Sequence, residues 1–279
     1  MEIIDNFLQD KYKVKRTKIV AVFLVIFLLL TFLIYFWMKP VESCIDGIKN
    51  QNETEIDCGG VCPNKCEKIV AQSLIVQEKG FVTNGAVDKI DLYSRVTNPN
   101  NIFGSNKFQY EFIIKDISGN VVAAKKGTNY ALPAESKYII ENNIEVNGTP
   151  NTVELNIINE SWVEFTDYFE RPQIKVVNKE YNQISSGIGF AEAKGLLKNE
   201  SDFNFNSISL NIILKDSNGA VIAVNSTAMN TVKSRENRDF KAMWLNRFSG
   251  EVMNVEVQAE VNVFEVDAFI KQYFPASSL

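Results

Sequence analysis

The sequence predicts a mainly β protein: two tandem antiparallel sandwiches, preceded by one apolar helix and a short disulfide-rich module. Three observations predict it. Residues 19–38 contain no charged residue. All four cysteines fall within residues 44–66. From residue 71 onward, apolar and polar residues alternate in short runs broken by turn residues, and the pattern returns about 100 residues later.

The first element is the apolar run IVAVFLVIFLLLTFLIYFWM. At about 1.5 Å per residue it crosses a hydrocarbon core of about 30 Å as a helix. Lys18 bounds it on one side and Lys39-Pro40 on the other, and Tyr35 and Trp37 sit where an interfacial aromatic belt belongs. A buried core helix of this length would carry a polar stripe. Lys11, Lys13, Lys15, Arg16 and Lys18 precede the run, whereas Glu42, Asp46, Glu53, Glu55 and Asp57 follow it. That Lys/Arg asymmetry predicts a cytoplasmic N-terminus and extracytoplasmic residues 39–279, hence a single-pass cell-membrane protein. A cleaved signal peptide would have a shorter apolar run and a small-residue cleavage site. The expectation is a signal anchor that stays in the bilayer.

Charge and composition exclude several function classes. The net charge is −5, and the first 18 residues carry +2, which leaves −7 for the remainder. A basic nucleic-acid face is not expected. The chain has no histidine. Ser-His and Cys-His nucleophilic sites and imidazole metal ligands are therefore excluded. No other catalytic motif is present, so no catalytic residue and no enzymatic activity are expected.

The second element is the cysteine segment. Cys44, Cys58, Cys62 and Cys66 are separated by 13, 3 and 3 residues. An oxidising compartment predicts two disulfides, and four cysteines allow three pairings that sequence does not separate. Zinc is disfavoured because the C-x2-C spacing is missing. Between the cysteines lie oxygen donors. Asp46, Asn50, Asn52, Glu55 and Asp57, with Glu53 among them, form a candidate calcium site, since calcium takes six to eight oxygens from flexible loops. The order of these residues is not that of an EF-hand. The competing reading is a disulfide-stapled spacer with solvated carboxylates and no required cofactor.

This segment resembles a cysteine motif of prokaryotic surface proteins, roughly C-x-D-G-I-x-N-G-x-E-T-x-x-D-C-G-G-x-C-P-x-C. Cys44, Asp46, Gly47, Ile48, Asn50, Glu53, Thr54, Asp57, Cys58, Gly59, Gly60, Cys62 and Pro63 match it. Gln51 replaces the usual glycine, and Cys66 comes one residue late. The resemblance implies a surface module beside an anchor.

The remaining elements are strands. Phe108, Tyr110, Phe112 and Ile114 alternate with Gln109, Glu111, Ile113 and Lys115, and Ile208, Leu210, Ile212 and Leu214 alternate with Ser209, Asn211, Ile213 and Lys215. Period two with one apolar face predicts half-buried strands. Each run ends in a matching hairpin signal, Asp116 to Gly119 and Asp216 to Gly219. Flanking segments correspond at an offset of 100 or 101 residues, Asn98 with Asn199 and Val121 with Val221. We read an internal duplication whose unit has the size of one sandwich. A break is expected near Glu170-Arg171-Pro172, and the one helical pattern after the anchor is Val266–Tyr273.

Both copies resemble the FxLYD family of prokaryotic envelope domains, Ig-like sandwiches related in shape to the water-stress domain. Phe112, Ile114, Lys115 and Asp116, then Ile212, Leu214, Lys215 and Asp216, with Asn98 and Asn199, carry the resemblance. Both copies lack the tyrosine before the aspartate. The family implies an Ig-like fold and scarcely any activity.

The expected organisation is thus a cytoplasmic tail (1–18), a transmembrane helix (19–38), a cysteine-rich neck (39–70), sandwiches over 71–170 and 171–273, and a tail (274–279). The expected function is non-catalytic: a membrane-anchored extracytoplasmic protein that displays Ig-like sandwiches for protein or glycan binding. The alternative is an accessory subunit of an envelope secretion, pilus or transport assembly. Open sheet edges suit strand addition by a partner. Trp162 and Trp244 read as core packing, and Phe103, Phe203 and Phe205 as either a contact patch or tucked loop residues. The Asn-x-Ser/Thr sequons at Asn52, Asn147, Asn159, Asn199 and Asn225 matter only in a glycosylating host.

Overall fold

The computed structural model describes residues 11–38, 43–66, 70–165 and 169–274. The start of the tail, the Lys39-Pro40 boundary, Glu42 and the end of the 274–279 tail lie outside the described residues. The chain divides into two compact units, residues 1–69 and 70–279.

In the first unit, helix α1 (Lys11–Met38) contains the apolar run. Its 28 residues begin earlier than the run, because Lys and Arg are good helix formers and no breaker precedes residue 19. The apolar stretch has no polar stripe, and among the described residues nothing covers it. The neck follows with disulfides Cys44–Cys62 and Cys58–Cys66, the pairing that sequence left open. No cysteine remains free, so there is no thiolate for zinc. Gly60 has φ +58°, and a Cβ there would lie 1.9 Å from the Asn52 carbonyl oxygen, so only glycine fits.

The second unit is β-rich. Its first sandwich holds β1 (Ile75–Thr83), β2 (Lys89–Thr97), β3 (Phe103–Lys115), β4 (Val121–Ala131), β5 (Ser136–Glu145) and β6 (Thr152–Glu164). Its second holds β7 (Ile174–Gln183), β8 (Ala191–Asn199), β9 (Phe205–Lys215), β10 (Val221–Val232), β11 (Asn237–Trp244) and β12 (Asn254–Glu260). A short helix α2 (Asp267–Tyr273) closes the described chain. Four three-stranded antiparallel sheets result, in orders β1-β2-β5, β4-β3-β6, β7-β8-β11 and β10-β9-β12. The strand order of the first sandwich recurs in the second.

Local chemistry recurs too. Asp116 Oδ1 accepts the amides of Ser118 and Asn120, both at 2.8 Å, and Asp216 Oδ1 accepts those of Asn218 and Ala220, at 2.8 and 2.9 Å. Asn98 Nδ2 donates to the carbonyls of Phe103 and Leu132, and Asn199 Nδ2 to those of Phe203 and Lys233. Each asparagine thereby ties its strand end to two loops, with donors that would otherwise be buried unpaired.

Strand β3 keeps the expected alternation, with Phe108, Tyr110, Phe112 and Ile114 buried in the first core. Strand β9 departs from it. Asn211 and Ile213, on the face expected to be solvated, are buried along with Leu210, Ile212 and Leu214. That second face of β9 packs against the first sandwich, where Val82, Tyr138, Ile213 and Val224 form a small core of their own.

The sandwiches also meet through rings. Phe165, at the end of β6, contacts Phe264 and Phe274 at centroid distances of 5.6 and 4.9 Å. Phe269 of α2 is fully buried beside Phe169 and Phe203. Phe203 and Phe205 are thus tucked into this cluster rather than displayed. Trp244 is core, its Nε1 donating to the Val224 carbonyl at 3.0 Å, and Trp162 packs against the first core.

Candidate binding sites

The neck brings its carboxylates to backbone amides. Asp57 accepts from the amides of Asp46 and Gly47, at 2.9 and 3.0 Å. Asp46 accepts from the amides of Ser43 and Ile48 and from Asn50 Nδ2. The Asn50 side chain and then the Ser43 amide hold the Asp46 carboxyl below the usual carboxylate range. Asn52 takes a left-handed φ of +63° and is exposed, as is Glu55. Asp46, Glu55 and Asp57 do not gather as a trio. Among the described residues, the group of Asp, Glu or Cys ligand atoms lying within 4.8 Å of one another is Cys44, Glu53 and Cys62. Two of those are the sulfurs of one disulfide, which carry no thiolate.

Glu53 is the residue whose role the spacing did not reveal. It is buried, and its Oε2 accepts from the amides of Asn50 and Asp57. Its Oε1 lies 3.0 Å from Cys62 Sγ, a contact without a proton because that sulfur is bridged. The only sequence signal for it is its place in the cysteine motif.

A second candidate lies between the sandwiches. Lys137 of β5 and Glu260 of β12 form an ion pair of 2.7 Å with side chains only 1% and 5% exposed. Lys137 Nζ also donates to Asn129 Oδ1 at 3.0 Å and sits 3.6 Å from the centre of the Tyr130 ring. Asn211 Nδ2 donates to Glu260 Oε1 and to the Tyr138 carbonyl, both at 2.9 Å. Burial pushes the Glu260 carboxyl above its usual range, and Lys137 opposes that shift. The pair is thus supplied with the extra hydrogen bonds that buried charges require.

The outer edge of β5 is closed by side chains. Gln258 accepts from the Tyr138 amide at 2.8 Å and donates to the Ser136 carbonyl at 2.7 Å, much as a neighbouring strand would. Strand addition at this stretch of edge is therefore blocked.

Beside this network opens a groove of about 740 Å³, walled by residues such as Thr128 and Asn129 of β4, Ile140 of β5, Ser209 of β9, Thr227 of β10, and Asn262. A second hollow of about 580 Å³ shares the Tyr130, Ser209, Glu260, Asn262 and Glu265 walls. Sequence reasoning missed this site, because its walls come from strands of both sandwiches.

These features define a mainly β protein of tandem antiparallel sandwiches with a disulfide-paired neck and one apolar N-terminal helix. No family model matches the chain, and no curated protein matches it. Among solved structures it is similar to the crystal structure of the calcium binding domain CBD12 of CALX1.1. The identity is 12%, covering 65% of this chain and 79% of that one, with a TM-score of 0.22. At that score the likeness bears on neither ligand nor mechanism.

Proposed function

We propose that this chain is a non-catalytic, membrane-anchored protein of the cell envelope, with its N-terminus in the cytoplasm and its sandwiches outside, displaying a surface for protein or glycan binding. The observation that carries this reading is the junction. The buried Lys137–Glu260 pair and the aromatic cluster bind the two sandwiches into one unit, and the groove stays open beside them. The uncovered apolar helix supports the anchor, and the Lys/Arg asymmetry supports its direction. The test is protease added to intact cells. The sandwiches should be removed and the N-terminal tail retained; an ectodomain protected until lysis would overturn the topology.

Two finer readings belong to this proposal. The sandwiches arose by internal duplication of an FxLYD-like domain, supported by the shared strand order and the paired Asn98/Asn199 and Asp116/Asp216 hydrogen bonds. The neck takes calcium weakly through Asp46, Asn50, Asn52, Glu55 and Asp57, as extracellular modules do at about 10⁻⁴–10⁻³ M. Asn50 Oδ1 is a buried acceptor without a partner among the described residues, which supports it. A cation would have to use lone pairs of Asp46 and Asp57 that their backbone amides leave over. Calorimetric titration of the oxidised chain, beside an Asp46→Ala, Asp57→Ala variant, decides it: equal heat from both, or none, removes calcium.

A further inference from the structure

We propose that the groove between the sandwiches is a saccharide site, taking a neutral, hydroxyl-rich oligosaccharide. This rests on the display reading above and names the ligand class of its surface.

Asn106, Asn129, Asn262, Ser209, Thr128 and Thr227 line the groove. A carboxamide offers donors and acceptors together, and a hydroxyl offers both in one atom. That mixture matches vicinal sugar hydroxyls, each of which also donates and accepts. Asn129 Oδ1 and both polar atoms of Asn262 are engaged within the protein, which leaves Asn129 Nδ2, Asn106 and the Ser209, Thr128 and Thr227 hydroxyls to the ligand. Asn106 Oδ1 is a buried acceptor with no partner among the described residues. That oxygen is closed to solvent in the empty groove, so a ligand hydroxyl pairs with it only when the Asn106 side chain turns toward the groove, and the unpaired acceptor favours that turn.

Other ligand classes fit worse. Lys137, buried beside the groove and not part of its wall, is already spent on Glu260, Asn129 and the Tyr130 ring. The remaining charges near the two hollows are Lys107 against Glu265 and Asp267, which does not favour a phosphate or sulfate. An aliphatic chain would leave the amides and hydroxyls of the walls desolvated and unpaired. A guest peptide strand is blocked at the β5 edge, where Gln258 and Asn211 occupy Ser136 and Tyr138; the β4 and β10 edges in the wall make the peptide the rival that the test below includes.

Size and rigidity agree. The groove lies within the volume range of ligand pockets, about 300–1,000 Å³. Its walls stand on strands, and the Lys137–Glu260 pair ties β5 to β12 beneath it. A site held in shape before binding loses less entropy when occupied. The Tyr130 ring, which faces Lys137, offers no free stacking platform, so the affinity should be modest.

The test uses the full chain in lipid nanodiscs, titrated calorimetrically with maltotriose, triacetylchitotriose and mannotriose, with empty nanodiscs as the blank. At least one trisaccharide should give saturable heat at millimolar concentration. Ala228→Trp places a bulky ring at an exposed β10 position in the groove wall and should weaken binding at least about tenfold. Asn106→Ala should weaken it about threefold. Unchanged melting of both variants shows that the fold survives. No saccharide heat from the parent chain, or parent-like binding by Ala228→Trp, overturns the proposal. An alternating Ser-Val peptide is titrated alongside. Peptide heat that Ala228→Trp abolishes, with none from any sugar, overturns the saccharide assignment while leaving the display reading intact; the protease experiment judges that reading separately.

Discussion

Lys137 Nζ lies 2.7 Å from Glu260 Oε2, and this ion pair, beside the Gln258 hydrogen bonds, joins β5 of one sandwich to β12 of the other with both charged side chains out of water. Removing one partner strands the other charge. Lys137→Met should cost about 3–5 kcal/mol in urea unfolding of the β unit. The double variant Lys137→Met, Glu260→Leu should recover most of that loss, because it buries no charge. An unchanged unfolding midpoint for the single variant would show that the pair is not buried in solution.

Phe269 of α2 is completely buried among Phe169, Phe203 and Tyr273. Phe269→Ala should cost about 3–5 kcal/mol through lost burial and the cavity left behind. Denaturant unfolding measures it. A loss below about 1 kcal/mol would mean that α2 is not part of the folded unit.

Asn98 and Asn199 each donate two hydrogen bonds to loop carbonyls. Asn98→Ala and Asn199→Ala should each destabilise by about 1–3 kcal/mol, since the carbonyls lose buried donors. Similar losses are expected because the two sets of bonds are alike. In a glycosylating host the Asn199 sequon should stay unmodified, because its amide is 1% exposed and committed to those bonds. Glycopeptide mass spectrometry that finds an occupied Asn199 would contradict the geometry.

Asp116 accepts from the Asn120 side chain and from the Asn120 and Ser118 amides, and the Asn120 side chain first holds its carboxyl below the usual range. A depressed folded value means that the stabilisation is present above the unfolded value, near pH 4, and is lost as pH falls through the folded one. In an NMR titration the Ser118 and Asn120 amides should therefore report a midpoint below the usual 3.9 or so for aspartate. Asn120→Ala should move that midpoint upward. A parent midpoint at or above the usual value would rule the turn network out.

The disulfides Cys44–Cys62 and Cys58–Cys66 lie in the compact unit of residues 1–69, apart from the β unit. Reduction should leave the Tm of the β unit unchanged when the full chain is followed by β-region circular dichroism. A clear drop would show that the neck supports the sandwiches.

Much of this architecture is local, and local features are written in the sequence. An uncharged 20-residue run needs no partner to be a helix in lipid. The alternation in β3 states which face is buried, and Asp116 with Gly119 states where the hairpin turns. An even number of cysteines gathered within residues 44–66 states that disulfides form. Tertiary structure alone decided the rest. It chose one cysteine pairing of three and buried Glu53 against a disulfide. It covered the second face of β9, so that Asn211 and Ile213 became interior residues. It also turned Lys137 from an apparent surface lysine into a buried cation, because its partner Glu260, itself held by Asn211, arrives from a strand 123 residues away. Periodicity along one strand reports the face that strand buries against its own sandwich. It carries no record of a second surface brought against it from so far along the chain, and both the ion pair and the groove exist only where those two surfaces meet.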